Sequence, residues 1–310
     1  MLVNKIPTLV TIVLPAYNHG KYLHEAIQSV LLQTYPCIEL LVFNDGSTDD
    51  TSDILASYGK QFYWESHKNI GQSATLNKGW RMSKGEIVSY LSADDCLEPT
   101  AVEMAVDSLR NTNAELVYGD YYLTDADSNV IDEVYAPEFN YSDMVSNIVV
   151  QPGPGVFFYK NAFDKIGGWN ESLRQIPDYD YWLRLGLMGD FNRIPKFLAR
   201  YRVHEGSQSY IEPSVEKAEE CVRVMNEYYE NNKIPDEIVV LESKAKSTAH
   251  LIAARFHLRA GRYTNMYRNL KKAWNWRASS IFSLRMIRLL GNGLLFRVRR
   301  LMLGKKSEQG

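Results

Sequence analysis

The run Val88-Ser89-Tyr90-Leu91-Ser92-Ala93-Asp94-Asp95 constrains this chain more than any other, because a largely apolar segment ends abruptly in two adjacent carboxylates. With Gly85 before it and Pro99 after it, the run reads as a strand buried in an α/β sheet, its acids just past the carboxyl end. Open α/β sheets bind ligands at that edge. Neighbouring carboxylates raise each other's pKa unless a cation or strong donors compensate. Oxygen ligands on a short turn suit Mg²⁺ or Mn²⁺, ions that commonly bridge substrate phosphates. The plainer expectation is that Asp94 or Asp95 caps the helix that Pro99 helps start. Acids and amides recurring at other strand ends weigh toward a ligand site.

Strand, polar turn and helix follow one another twice before that run. A β-branched strand over 9–14 leads into Pro15-Ala16-Tyr17-Asn18-His19-Gly20, and Leu23, Ile27, Val30 and Leu31 then recur at helical spacing. A second strand over 40–43 runs into Asn44-Asp45-Gly46-Ser47-Thr48-Asp49-Asp50-Thr51, with Asp45 at the strand end and Asp49 or Asp50 placed to cap the next helix. The natural solution is a parallel, right-handed βαβ arrangement. A third strand over 61–65 precedes Asn69-Ile70-Gly71, where N–H groups at a helix start can face an anion or Gly71 simply makes a turn. A helix over 100–109 and a strand over 116–120 complete the pattern.

At 310 residues the chain has room for about one and a half to two domains. Its net charge of -2 disfavours nucleic acid as the main partner. Cys37, Cys96 and Cys221 are scattered without metal-type spacing, which points to a reducing compartment. The apolar run over 9–14 lacks a cleavage site, and no stretch approaches the ~20 apolar residues of a membrane span. The expected location is therefore cytoplasmic.

Pro15-Ala16-Tyr17-Asn18, Asn44-Asp45-Gly46-Ser47-Thr48-Asp49, Asn69-Ile70-Gly71, Asn77-Lys78-Gly79 and Ala93-Asp94-Asp95, in this order and spacing, resemble the nucleotide-sugar half of a family 2 glycosyltransferase. The resemblance covers residues 8–209 and implies the GT-A fold, a Rossmann-like mixed and mainly parallel sheet, with an inverting transfer from a nucleotide sugar, UDP-linked by expectation. It implies roles for Asp45 at the base and for Asp94 and Asp95 at the ribose and a Mg²⁺ or Mn²⁺ ion. Pro15, Tyr17, Asn18, Asn69, Gly71, Asn77 and Lys78 join them as nucleotide-sugar contacts. Many relatives carry an acid two residues before Asp94, where this chain has Ser92, so either Asp94 or Asp95 is a candidate for the main metal ligand.

Residues 121–150 read as a hairpin with loops over the sheet, and Gln151-Pro152-Gly153-Pro154-Gly155 as a loop feeding a strand over 156–159. Pro177-Asp178 fits a helix start, with Trp182 and Leu185 toward the core. That stretch resembles the family's acidic motif that supplies the catalytic base, with Pro177 where Glu commonly stands; Asp178 matches the base and Asp180 points elsewhere. Displacing a nucleoside diphosphate requires the acceptor hydroxyl to lose a proton while charge grows on the leaving group, so a carboxylate distinct from the metal ligands is needed. Arg202 and His204, in Tyr201-Arg202-Val203-His204, resemble an Arg-x-His segment near the diphosphate, making Arg202 a donor contact and His204 a metal or phosphate ligand.

The catalytic domain is thus expected over residues 1–212 and an α-helical region over 213–310. Ala218, Cys221, Val222 and Met225 mark one helix, Pro235 a break, and Leu241, Ala245, Ala249, Ile252 and Phe256 a longer helix turning at 257–263. Residues 281–306 interleave apolar residues with Arg and Lys, with no acid before Glu308 and an expected break at Gly291-Asn292-Gly293. Such a helix either lies on an anionic membrane, here peripherally on its inner face, or packs against its neighbours with a solvated basic face. The expected partners are a nucleotide-sugar donor and a glycan or lipid-linked acceptor of surface polysaccharide or glycolipid synthesis. Two alternatives stand beside this reading. A sugar-phosphate nucleotidyltransferase would carry a basic Gly-rich loop after the first strand, which Pro15-Ala16-Tyr17-Asn18 is not; a non-catalytic nucleotide-sugar-binding or scaffold protein would not need Asp45, Asp94, Asp95 and Asp178 together.

Overall fold

Strand β1 (Val10–Ala16) is buried along its whole length, as a central parallel strand must be. Helix α1 (Gly20–Leu31) follows and lays Leu23, Ala26, Ile27 and Val30 onto the sheet. The computed structural model describes residues 7–204, 206, 212–231 and 233–307. The strand–helix unit recurs through β2 (Ile38–Asn44), α2 (Thr51–Ser57), β3 (Tyr63–Ser66), α3 (Gln72–Met82) and β4 (Ile87–Tyr90). These strands are parallel and lie in the order β3-β2-β1-β4. The chain first adds strands on one side of β1 and then returns to the other. The order therefore reverses between β1 and β4, and a crevice opens where their carboxyl ends part.

Beyond β4 come β5 (Cys96–Leu97), α4 (Ala101–Asn111), β6 (Leu116–Thr124), β7 (Val130–Val134), α5 (Tyr141–Asn147), β8 (Phe157–Tyr159), α6 (Lys160–Ile166), α7 (Pro177–Gly186) and β9 (Phe191–Arg202). They extend the sheet as β4-β8-β6-β9-β5, with β7 paired to β6, so a parallel half continues into a mixed half of nine strands in all. This is the expected mixed α/β architecture. Thr100 stands at the α4 N-cap, so neither Asp94 nor Asp95 caps that helix and the plainer expectation fails. Residues 121–150 hold more than the expected hairpin: Asn140 accepts the Asp143 N–H at 2.8 Å and starts α5.

The chain forms two compact units. The first comprises the described residues within 1–139, 150–172 and 184–207, and the second those within 140–149, 173–183 and 208–310. In the first, Ile12, Leu14 and Val42 of the sheet meet Leu23 and Ile27 of α1 and Val102 and Val106 of α4 in one apolar cluster. Trp80 of α3 is fully buried, donates from Nε1 to the Ser89 carbonyl at 3.2 Å and meets Phe158 edge to face. Gly79 lets α3 approach the sheet, since a Cβ there would lie 2.4 Å from Val13 Cγ1.

The second unit adds α8 (Val215–Asn231), α9 (Asp236–Val239), α10 (Glu242–Arg259), α11 (Tyr263–Ile281) and α12 (Leu284–Ser307) to α5. Helix α10 is its axis, touching α5, α8, α11 and α12. Surrounded in this way, it buries Ala245, Ala249, Ala253 and Ala254, and several of its buried polar side chains bond to neighbouring elements. Thr248 Oγ1 donates to the Ser146 carbonyl at 2.9 Å, and His250 Nδ1 lies 2.8 Å from Asn269 Oδ1. The expected break at Gly291-Asn292-Gly293 does not occur, because α12 runs through it and the interruption falls at Phe282-Ser283. Gly293 faces α10, where a Cβ would stand 3.1 Å from Arg255 Cγ. That close packing offsets the ~1 kcal/mol that a helical glycine costs. No described helix is long and apolar enough to cross a membrane.

Gly79→Ala should overpack the contact between α3 and Val13, costing about 1–3 kcal/mol and lowering the thermal midpoint by several degrees without changing the circular dichroism of the folded protein.

Candidate active site

The crevice between β1 and β4 gathers three metal-type donors. His19 follows β1, Asp94 follows β4 and His204 follows β9, and one ligand atom from each lies within 4.8 Å of the others. His204 Nε2 stands 3.1 Å from Asp94 Oδ2 and His19 Nε2 stands 4.0 Å from it. Tyr22, one turn into α1, holds the cluster from behind, its ring centroid 4.9 Å from that of His204. Two imidazole nitrogens and one carboxylate oxygen form a donor set that suits a first-row divalent transition ion better than Mg²⁺, which prefers oxygen ligands throughout. The residues present therefore fit a divalent cation.

Asp95 and Arg202 support this cluster from beneath. The Arg202 N–H donates to Asp95 Oδ1 at 2.9 Å, and its Nε donates to the Asp94 carbonyl at 2.8 Å. The remaining guanidinium nitrogens reach Ser128 Oγ at 2.8 Å and Glu25 Oε2 at 2.6 Å, and the group lies 4.7 Å over the Tyr22 ring. Burial, with the Asp94 charge alongside, pushes the Asp95 carboxyl well above the usual range against the pull of Arg202. Of the expected metal ligands, the structure brings Asp94 and His204 together and leaves Asp95 out of the cluster. His19 was not anticipated. The signal for it was its place one residue after Asn18, at the same sheet edge as Asp94.

A second group forms at the carboxyl end of β2. Asp45 is buried and accepts the Ile70 N–H at 2.7 Å and the Gly71 N–H at 2.9 Å, with His67 Nδ1 3.5 Å from Oδ1. Gly46 adopts φ +76°, and a Cβ there would sit 2.6 Å from the Asn69 nitrogen, so the loops after β2 and β3 lie directly on one another. Asn18, at φ 54°, accepts the Thr48 N–H at 2.8 Å and ties the loop after β1 to the loop after β2. Tyr17 and Asn69 are exposed beside them, whereas Pro15 is buried within β1. Asn77 and Lys78 are engaged elsewhere. The Asn77 amide bonds to both backbone groups of Trp169 and to Glu171, and Lys78 pairs with Glu65.

Asp178 belongs to the second unit, in the first turn of α7. Its Oδ1 accepts the Tyr179 N–H at 2.8 Å, and burial raises its pKa above the ordinary carboxylate value. Glu220 of α8, which no local pattern in the sequence marks out, braces the entry to this turn. Buried, it accepts the N–H groups of Arg174, Gln175 and Ile176 at 2.9, 2.6 and 3.2 Å. Cys221 beside it is inert as a thiol, since burial and the charges of Glu220 and Asp178 push it up to about 12.

Residues 11–169 match the family model described as glycosyl transferase family 2. An uncharacterized glycosyltransferase of Rickettsia typhi is 35% identical over 211 residues, which is 65% of this chain and 66% of that protein. The chondroitin synthase of Escherichia coli is 32% identical over 224 residues, 71% of this chain but 32% of the longer relative. The chain thus spans just under two thirds of the first relative and about a third of the second. Among solved structures, Staphylococcus aureus TarS 1–349 superposes with a TM-score of 0.62 at 15% identity, covering 88% of this chain and 90% of that one. The mannosyltransferase PcManGT from Pyrobaculum calidifontis, in complex with GDP-Man and Mn²⁺, gives 0.59 at 17% identity, covering 95% and 81%. These likenesses establish the GT-A fold expected from the sequence.

Removing the carboxylate that both imidazoles face should uncouple the cluster from cations. Mn²⁺ alone should raise the melting temperature of the wild-type protein but not of Asp94→Ala, and should do so less for His19→Ala. Equal shifts in all three would remove the metal assignment.

Proposed function

The chain belongs to glycosyl transferase family 2, and from that membership we propose that it transfers a sugar from a nucleotide-sugar donor to an acceptor hydroxyl in the making of a surface polysaccharide or glycolipid. One observation carries the reading furthest: His19, Asp94 and His204 converge at the β1–β4 crevice, within the unit that holds most of the family match. The donor is proposed to be UDP-linked, supported by TarS, whose solved complexes contain UDP and UDP-GlcNAc. Mn²⁺ is the proposed cation, held by His19, Asp94 and His204, and supported by the Mn²⁺ in the PcManGT complex. When bound, such an ion supplies positive charge against the diphosphate as it leaves.

The chain's own residues divide the remaining work. Asp45, with the Asn69–Gly71 backbone that it holds, together with Tyr17 and Asn18, is proposed to receive the nucleoside. The buried Arg202 and Asp95 hold Asp94 and His204 in place. Asp178 is the proposed base, taking the proton of the acceptor hydroxyl as it attacks the anomeric carbon, so configuration inverts in one displacement. Burial, by raising the Asp178 pKa, brings that carboxylate closer to the pH at which it works and makes it a stronger proton acceptor. The acceptor is proposed to be a glycan or lipid-linked glycan, with residues 281–306 resting peripherally on the inner face of an anionic membrane. The proposed extent of the catalytic domain is residues 1–212.

Asp178→Asn should leave UDP affinity near wild type by calorimetry and lower kcat by about 10² to 10⁴. The sign of the pH effect follows from the raised pKa: the base is lost by protonation as pH falls. The acid limb of the wild-type kcat profile should therefore lie above the ~3.9 of an unperturbed Asp. A nearly full turnover in Asp178→Asn would move the base elsewhere.

A further inference from the structure

Charge in this chain is divided unevenly. Between Ser243 and Ser307 the sequence contains ten arginines and six lysines and no Asp or Glu, although the whole chain carries a net charge of -2. That acid-free stretch is α10, α11 and α12 together, not α12 alone. Helix α10 is enclosed, so the outward surface belongs to α11 and α12, where Lys271, Lys272, Arg277 and Arg288 are all exposed.

The same two helices expose large apolar side chains in stripes. On α12, Leu284, Ile287, Leu294 and Leu295 are 52–75% exposed and fall within roughly 100° of arc at 3.6 residues per turn. They lie opposite Met286 and Gly293, which face the packed interior. On α11, Tyr263, Tyr267 and Trp274 are 49–68% exposed and occupy one stripe at i, i+4 and i+11. The stripes meet where the Trp274 and Phe282 rings touch edge to face with centroids 5.9 Å apart.

We infer that α11 and α12 form one two-helix platform that docks on an anionic lipid surface, with Tyr267, Trp274 and Phe282 as interfacial aromatic anchors. This rests on the membrane reading of residues 281–306 proposed above and extends it by a second helix. Tyr and Trp favour the headgroup level, where a polar edge stays wet and the ring enters apolar material. Cations without intervening acids add attraction to anionic headgroups, and apolar stripes supply the insertion. A second copy of the chain is the poorer occupant, because an isologous contact would bring two mainly cationic faces together, the nearby acids Glu219 and Glu212 being already paired with Arg268 and Arg297. Nucleic acid would match the charge but leave the aliphatic stripe of α12 unburied.

The test uses the full chain in co-sedimentation with vesicles of phosphatidylcholine alone and of phosphatidylcholine with phosphatidylglycerol at three to one. The wild type should pellet with the anionic vesicles, and the bound fraction should fall several-fold when NaCl is raised to about half molar, as screening requires. Tyr267→Ala/Trp274→Ala and Leu284→Glu/Ile287→Glu should each lose most of the binding. Both alter exposed residues, and an unchanged far-ultraviolet circular dichroism spectrum and a single unchanged melting transition show that each variant is folded. If only the α12 pair matters, the two-helix platform is overturned while the reading of 281–306 stands. If the wild type ignores anionic vesicles, or pellets equally with neutral ones, both fall. Concentration-dependent dimerisation abolished by the α11 pair, or capture of duplex DNA in place of vesicles, would also overturn the platform.

Discussion

The candidate site depends on how one buried arginine is satisfied. Arg202 is 2% exposed, and a guanidinium cannot shed its charge, so every donor it carries needs an acceptor. The acceptors come from distant parts of the chain: the Asp94 carbonyl after β4, Glu25 on α1, and Ser128 and the Asp125 carbonyl from the hairpin between β6 and β7. Satisfying them brings the end of β9 against the turn after β4, and His204, two residues beyond Arg202, reaches Asp94 as a result. Loss of the arginine side chain would leave Glu25 and the Asp94 carbonyl without this donor, which is costlier than the mere loss of a contact.

The crevice itself comes from topology. Because β2 and β4 flank β1 on opposite sides, the loops after β1 and β4 diverge, and polar groups can converge between them without burying unsatisfied backbone. Within that space the chain uses two kinds of device. Side-chain donors of mixed softness collect at His19, Asp94 and His204, while backbone N–H groups are oriented by a carboxylate at Asp45. A similar device recurs in the second unit, where Glu220 holds three successive N–H groups ahead of α7. In both places a buried acid organises a loop, and a residue on or beside that loop is a candidate for chemistry.

The second unit spends its sequence differently. Helix α10 is enclosed on several sides, so its buried pattern mixes small and polar residues instead of forming one apolar face, and the apolar stripes of α11 and α12 are left facing outward. Exposed stripes of this kind are unusual on a surface that has nothing to cover them. The predominance of cations on these helices narrows what that cover is.

Strands β1, β2 and β4 and helices α1, α3 and α4 were legible in the sequence, because their apolar periods and their Gly, Pro and Asp punctuation are local properties. So was the gathering of acids and amides at strand ends, which needs only the alternation of strand and helix to be recognised. Local pattern could not reveal β5, whose two residues exist as a strand only because β9 pairs with them. Nor could it reveal that α12 runs on through Gly293, where the close approach of Arg255 from another helix uses the missing side chain. The same limit applies at the site. Asp94 and His204 were marked by their types, but their 3.1 Å approach, the arrival of His19 and the diversion of Asn77, Lys78 and Arg202 into internal bonds all join residues far apart in sequence. A sequence determines which groups are available and which local elements carry them. Which of those groups meet is decided by strand order and by the need of every buried polar atom for a partner, and both are properties of the assembled chain.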